Sequence, residues 1–416
     1  MIWPPFTQAF FQDKNPAIKI THGNGIYLHA NDGGKYIDAI SSWWVTLHGH
    51  ANLEIAEAIF QQAKKLEHVI FTRFSHDPAE KLTQMLSTTL TKELDNFFFS
   101  DNGSTAVEIA LKMAYQYFKN KADDKRNMFL SLQGGYHGDT TGAMSVSDRT
   151  EYHTVFSDLC FATAYIDKPE YYQGAEHIEA KEAEAFEKLK KFLAINGKKI
   201  CALIVEPLIQ GAAGMRVYRA QFLESIVNLA REYGILIIFD EVMTGFFRTG
   251  TMFAFNQTNT TPDFVCLSKG LTGGFLPLSL TITNKKIYNA FYSSDISKAF
   301  MHGHSYTANP ISCAAACASL EILLRKETQQ NIKTIAQAHT DNLKKLNNVH
   351  KKRQLGTIAA FDVRSPEVAQ EISKKLMLDG VFMRPLQNTL YLIPPYCIQK
   401  DELDFVYNCI AKHTLL

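Results

Sequence analysis

Short apolar runs bounded by turn residues alternate along this chain with stretches whose apolar positions recur every three to four residues. The runs at 97–99, 128–132, 201–206 and 235–239 read as buried strands, as does 263–268. The periodic stretches at 54–66, 78–90, 104–118 and 220–233 read as helices. Helix and strand in alternation predict an α/β architecture: a large, mostly parallel sheet covered by helices. Residues 1–50 differ, with short extended pieces separated by Gly23-Asn24-Gly25 and Asp32-Gly33-Gly34, which predicts a small antiparallel unit. Within it, 41–50 is read as extended, which puts Trp43 and Trp44 on opposite faces, one in the core and one lining a pocket; the rival reading puts both in the core.

After Asn309-Pro310 a helix is expected to about Arg325, then a strand at 357–363, a helix at 366–379, β pieces at 381–384 and 389–393, and a last helix from 401. The expected division is a large domain over 51–308 and a smaller α+β domain built from 1–50 with 309–416. The charged segment 176–191 carries Phe186, Leu189, Phe192 and Leu193 at helical spacing, so it reads as a solvated surface helix rather than a docking segment.

Charge narrows the function classes. Lys plus Arg number 43 against 42 Asp plus Glu, so no basic footprint for nucleic acid or an anionic membrane is present. Seven scattered cysteines with no Cys-x-x-Cys pair read as reduced thiols used as small apolar residues in a reducing, cytoplasmic compartment. The start, Met-Ile-Trp-Pro-Pro-Phe, lacks the basic and apolar regions of a signal peptide. No apolar stretch approaches the roughly 20 residues that span a bilayer, and no metal-ligand spacing occurs.

Two residues carry the chemistry. Asp240 ends the run Ile-Leu-Ile-Ile-Phe, and Lys269 follows the next run, Asp-Phe-Val-Cys-Leu-Ser. A carboxylate and an amine at the ends of successive strands are what a pyridoxal phosphate (PLP) enzyme needs: the amine for a Schiff base, the acid to keep the pyridine nitrogen protonated. Burial and nearby cations would lower the Lys269 pKa toward nucleophilic competence. Glu206 ends another apolar strand before Pro207.

Gly103 and Ser104 open the helix after the triple-Phe strand, where free N–H groups fit either a phosphate or a plain cap. Tyr136, in Gly-Gly-Tyr-His-Gly-Asp, fits either a ring stacked on a flat cofactor or a buried surface-turn aromatic. His137 is discounted as a general base, because a freed Schiff-base lysine can shuttle the proton itself. Arg384 reads as a carboxylate clamp or as an ordinary surface arginine.

The set Asp-Glu-Val…Gly-Phe-x-Arg-Thr-Gly…Ser-Lys-Gly (240–270) closely resembles the class III branch of fold-type I PLP aminotransferases, over essentially the whole chain. Ser-Ser-Trp-Trp with His-Gly-His (41–50), Gly-Tyr-His-Gly-Asp-Thr (135–140) and Met-His-Gly-His-Ser-Tyr-Thr-Ala-Asn-Pro (301–310) resemble its biotin-biosynthetic members.

That resemblance implies a homodimer with interfacial active sites. It also implies transfer of an amino group to 8-amino-7-oxononanoate, giving 7,8-diaminononanoate by a ping-pong route through the aminated cofactor, with S-adenosyl-L-methionine as donor. Lys269, Asp240 and Tyr136 would be catalytic. Gly103, Ser104, Glu206, Val242, His304 and Ser305 would join them in binding the cofactor, Ser305 reaching that of the neighbouring subunit. Phe6, Trp43, Trp44, Tyr136, Arg248, Gly303 and Arg384 would contact substrate.

Three departures bear on the donor. Phe6 stands where Tyr is usual, Phe247 where Gly is usual, and His-Gly-His-Ser where His-Gly-Pro-Thr is usual, a form shared with relatives that use lysine. The rival readings are the same acceptor with lysine, an ω-aminotransferase, an aminomutase, and a catalytically inert PLP-fold protein.

Overall fold

The computed structural model describes residues 2–12, 17–148 and 153–414. Its centre is a seven-stranded sheet in the order Leu94–Ser100, Ser279–Asn284, Phe264–Leu267, Leu236–Asp240, Ile200–Val205, Met128–Leu132 and Thr163–Ile166. All pairings are parallel except the two made by Ser279–Asn284, so six strands point one way and share a carboxyl edge. Strands Ile200–Val205 and Leu236–Asp240 are buried at every position, which is why they read as unbroken apolar runs.

The helix Gly103–Asn120 covers one face of this sheet. It starts at Asn102, whose side chain accepts the Thr105 N–H while the Thr105 hydroxyl caps back. Its Ala106, Ile109, Ala110, Met113, Ala114 and Tyr117 are buried at helical spacing. The other face belongs to the main core, to which helices Asp77–Ser87 and Ala220–Glu232 contribute Leu82, Leu86, Phe222 and Ile226.

The chain ends meet. Strands Ile20–Asn24, Tyr27–Ala30 and Lys35–Asp38 form an antiparallel unit that the C-terminal strand Val381–Phe382 joins in parallel at Ile37 and Asp38. A three-stranded sheet, His350–Leu355, Ile358–Asp362 and Thr389–Leu392, lies beyond it in sequence.

Three expectations change. The helix Lys326–Lys345 was not expected, because its polar composition hides a narrow buried stripe of Ile332, Ile335, Ala338, His339 and Leu343. Strands Ser279–Asn284 and His350–Leu355 were also not expected, the latter carrying Lys351, Lys352 and the buried Arg353 in succession. Residues 41–44 are not extended but form a short helical turn broken at Ser42 and Trp43. Ser41, Ser42 and Trp44 there have φ of 52°, 59° and 66°, each costing about 1–3 kcal/mol for a non-glycine residue.

Candidate active site

Asp240 sits at the carboxyl edge of the central strand, almost wholly buried. A carboxylate in that position needs donors, and it has two. Its Oδ2 lies 2.7 Å from His137 Nδ1 and its Oδ1 accepts the Val242 N–H at 3.1 Å. An ionised carboxylate only accepts, so His137 Nδ1 carries the proton. His137 is itself pinned, its N–H donating to Ser147 Oγ at 2.8 Å. It therefore braces Asp240 from the edge of the cavity, whose lining it joins. Sequence reasoning missed this partnership; the available signal was a histidine at the end of strand Met128–Leu132, two strands from Asp240.

Glu206 ends the intervening strand. It accepts the N–H groups of Tyr136 at 3.1 Å and Gly211 at 2.9 Å. Burial pushes its carboxyl up to about 7, opposed by His137 and assisted by Asp240. Lys269 follows strand Phe264–Leu267 with a φ of 44°. Loss of hydration lowers its amine to about 8, against the upward pull of Asp240 and Glu206. Its Nζ lies 4.6 Å from the centre of the Trp44 ring.

These groups line a cavity of about 650 Å³ that also includes Asn102, Gly103, Ser104, Tyr136 and Val242. A Cβ on Gly103 would stand 2.6 Å from Val242 Cγ1, so the helix start is held against Val242 by the missing side chain. Ser104 Oγ accepts the Thr140 N–H at 3.0 Å and lies 2.7 Å from the Thr140 hydroxyl. Gly103→Ala is expected to weaken PLP binding about tenfold, since overpacking typically costs about 1–3 kcal/mol. Cofactor titration of the apoprotein measures this.

A second lobe of about 480 Å³ shares Trp43, Trp44, Tyr136 and Lys269 with the first and extends past Phe6 and Leu386 to Arg384. Trp43 keeps 44 % of its surface exposed and Trp44 only 5 %, so Trp43 stands out in the cleft while Trp44 lines it from the core side. Trp44 Nε1 donates to Tyr391 Oη at 3.0 Å. Tyr136 donates its hydroxyl to Asp139 at 2.9 Å, and its phenol is raised by burial and by Asp139. The Phe6 ring is 5.8 Å from Trp43. The Arg384 guanidinium stacks 4.8 Å over Trp43, with no carboxylate paired to it among the described residues.

Arg248 and residues 303–305 lie apart from both lobes within the chain. Arg248 is 1 % exposed and lines neither lobe. Its guanidinium donates to Pro394 O at 2.8 Å and Thr46 O at 3.4 Å and lies 5.0 Å from the Tyr396 ring. It ties the segment that carries Trp44 and Thr46 to Pro394. Gly303, His304 and Ser305 also line neither lobe of their own chain; Gly303 and Ser305 are exposed.

The donor set fits pyridoxal phosphate. A helix start held close by Gly103, a buried carboxylate aimed at the cleft and a buried amine with no hydrogen bond among the described residues occupy one cavity. Across residues 10–414 the chain matches the model of the aminotransferase class-III family. It is 47 % identical to the adenosylmethionine-8-amino-7-oxononanoate aminotransferase of Synechococcus elongatus, over 99 % of this chain and 97 % of that protein. The enzyme of the same name from Helicobacter pylori is 39 % identical, over 97 % and 93 %.

Among solved structures, that enzyme from Methanocaldococcus jannaschii superposes with a TM-score of 0.92 at 34 % identity, covering 100 % of this chain and 96 % of that one. An amine transaminase from an uncultivated Pseudomonas species, in its PLP-bound form, gives 0.93 at 29 %, covering 100 % and 98 %.

Proposed function

The chain belongs to the class III aminotransferases, which are PLP-dependent, and from that premise we propose that it converts 8-amino-7-oxononanoate to 7,8-diaminononanoate in biotin biosynthesis. S-adenosyl-L-methionine is the proposed amino donor, and ping-pong turnover is expected. The named relatives support the acceptor. The observation that carries the reading is the two-lobed cleft, with Lys269 where the lobes join and Arg384, which has no carboxylate partner among the described residues, in the outer lobe. An acceptor with its reacting carbonyl near one end, an aliphatic chain and a terminal carboxylate suits that layout. The apolar walls take the chain and a guanidinium takes the carboxylate.

Lys269 is the proposed covalent anchor, and its freed Nζ moves the proton at the substrate carbon that bears the amine. The PLP ring, when bound, supplies an electron sink that stabilises negative charge at that carbon. Asp240, oriented by His137, holds the proton on the pyridine nitrogen. The Gly103 N–H and the Ser104 hydroxyl hold the phosphate, while Val242 and Tyr136 enclose the ring. Closing substrate over Trp43, Trp44 and Phe6 excludes water from the reacting carbon.

We place the smaller domain at 1–50 with 309–416 and the larger at 51–308; the pairing of Lys35–Asp38 with Val381–Phe382 supports it. A homodimer completes the site: the exposed Gly303 and Ser305 of one copy would reach the cleft of the other, Ser305 toward the phosphate. A cytoplasmic location accords with seven free cysteines and with no described helix long and apolar enough to cross a membrane.

The test supplies purified enzyme and PLP with 8-amino-7-oxononanoate and either S-adenosylmethionine or lysine. Diamine is expected with the former; diamine only with lysine transfers the donor role, and none with either sinks the assignment.

A further inference from the structure

We propose that Asp38 is a positioning residue for the substrate cleft, its buried carboxylate holding the strained turn 40–44 and thereby setting Trp43 beneath Arg384 and Trp44 beneath Lys269. The inference rests on the aminotransferase reading only for the choice of substrate. Asp38 lines neither lobe of the cleft and is wholly buried at the end of strand Lys35–Asp38. There it pairs with Phe382 of the strand that leads to Arg384.

A carboxylate so buried must be satisfied by donors. Ser42 supplies two: its N–H at 2.6 Å and its hydroxyl at 3.0 Å, both to Oδ2. The Ile40 N–H reaches Oδ1 at 3.3 Å, and His50 Nε2 lies 2.9 Å from Oδ2. Two of these four contacts fall on the residue whose backbone is least comfortable, Ser42 at φ 59° and ψ −97°.

Nothing in the sequence of this turn makes positive φ easy, since Ser41, Ser42 and Trp44 all carry side chains. Such a conformation persists only where its surroundings impose it, and those sites concentrate around ligands. The imposing groups here are Asp38 on one side and Ile393 on the other, whose carbonyl accepts the Ser41 hydroxyl at 2.7 Å. The consequence is visible in the cleft. The two consecutive indoles project to different tasks, one against the Arg384 guanidinium at 4.8 Å and one against Lys269 Nζ at 4.6 Å. A relaxed turn would not hold both.

The rival account makes Asp38 a stability element with no bearing on substrate. Asp38→Asn and Ser42→Ala, each made in the full chain with Trp3 replaced by Phe, separate the two. Holoenzyme kinetics should show KM for 8-amino-7-oxononanoate raised about tenfold in Asp38→Asn, and less in Ser42→Ala, at unchanged PLP content, because a small misplacement of binding groups is felt strongly in the bound state. Acrylamide quenching of tryptophan fluorescence in the apoprotein should rise in both variants as Trp44 loses its fixed place.

Unchanged KM and unchanged quenching, with only a lowered melting temperature, would overturn the proposal. Should Asp38→Asn not fold, Ser42→Ala decides by the same criteria. Should the wild-type protein not turn over this acceptor, the quenching result decides Asp38 alone and the substrate assignment fails separately.

Discussion

Lys269→Ala is expected to lower transamination by about 10⁴-fold or more, the upper end of what a positioned proton-transfer group contributes, with the added loss of the covalent anchor. The physical reason lies in the surroundings of the amine. Burial lowers it to about 8 from 10.5, so at neutral pH its neutral, nucleophilic fraction is on the order of a hundredfold larger than that of a solvated lysine. Two measurements check this. Single-turnover formation of diamine should collapse, and PLP should become removable by dialysis, since only non-covalent contacts remain.

The pH dependence has a fixed sign. Loading of the wild-type apoprotein should accelerate as pH rises toward 8 and then level off, because deprotonation makes the nucleophile. Loading that keeps accelerating to pH 10 would mean that the amine is not perturbed.

Asp240→Asn should cost about 10²–10³-fold in kcat at saturating PLP, comparable with loss of one preorganised electrostatic stabiliser. The amide keeps the size of the side chain but has one acceptor oxygen, so it can accept from only one of the two donors, His137 Nδ1 and the Val242 N–H, that now hold the two carboxylate oxygens at 2.7 and 3.1 Å. What it loses is the negative charge that favours a protonated pyridine nitrogen. The fold should therefore survive while the rate falls. A kcat within about threefold of wild type, far short of the ordinary stabiliser's worth, would place the partner of that nitrogen elsewhere. Replacing His137 with Asn should give a smaller loss in the same direction, since it orients Asp240 without touching the ring.

The parallel core was legible because strands buried on both faces cannot alternate polar and apolar residues. Leu236–Asp240 and Ile200–Val205 are of that kind, and both were expected within a residue or two. Strand Ser279–Asn284 was not among the expected strands, although Ser279, Thr281 and Thr283 alternate with Leu280 and Ile282. Its hydroxyls are satisfied only by distant groups: Ser279 by Ser100 at 2.6 Å and Thr281 by the Ala106 carbonyl at 2.7 Å. The Ser-Ser-Trp-Trp segment misled for a related reason. Local propensity favours an extended strand there, but the buried Asp38 draws Ser42 into a turn.

Arg248 shows what a motif leaves open. Its terminal nitrogens donate to the carbonyls of residues 44, 46 and 394 while its buried Nε has no hydrogen-bond partner among the described residues. Among the described residues it has no carboxylate partner, so it holds chain segments together through hydrogen bonds that only the folded chain specifies.

By itself the sequence determined the strand succession, the carboxyl-edge location of Asp240 and Lys269, and the glycine-opened helix start, because periodicity, burial and backbone freedom are local properties. The tertiary structure alone decided that His137 hydrogen-bonds Asp240, that Asp38 holds Ser42 in a turn of positive φ, and that Val381–Phe382 pairs with Lys35–Asp38. Those outcomes depend on which distant donors meet which buried acceptors. Such pairings are fixed only when the chain closes on itself.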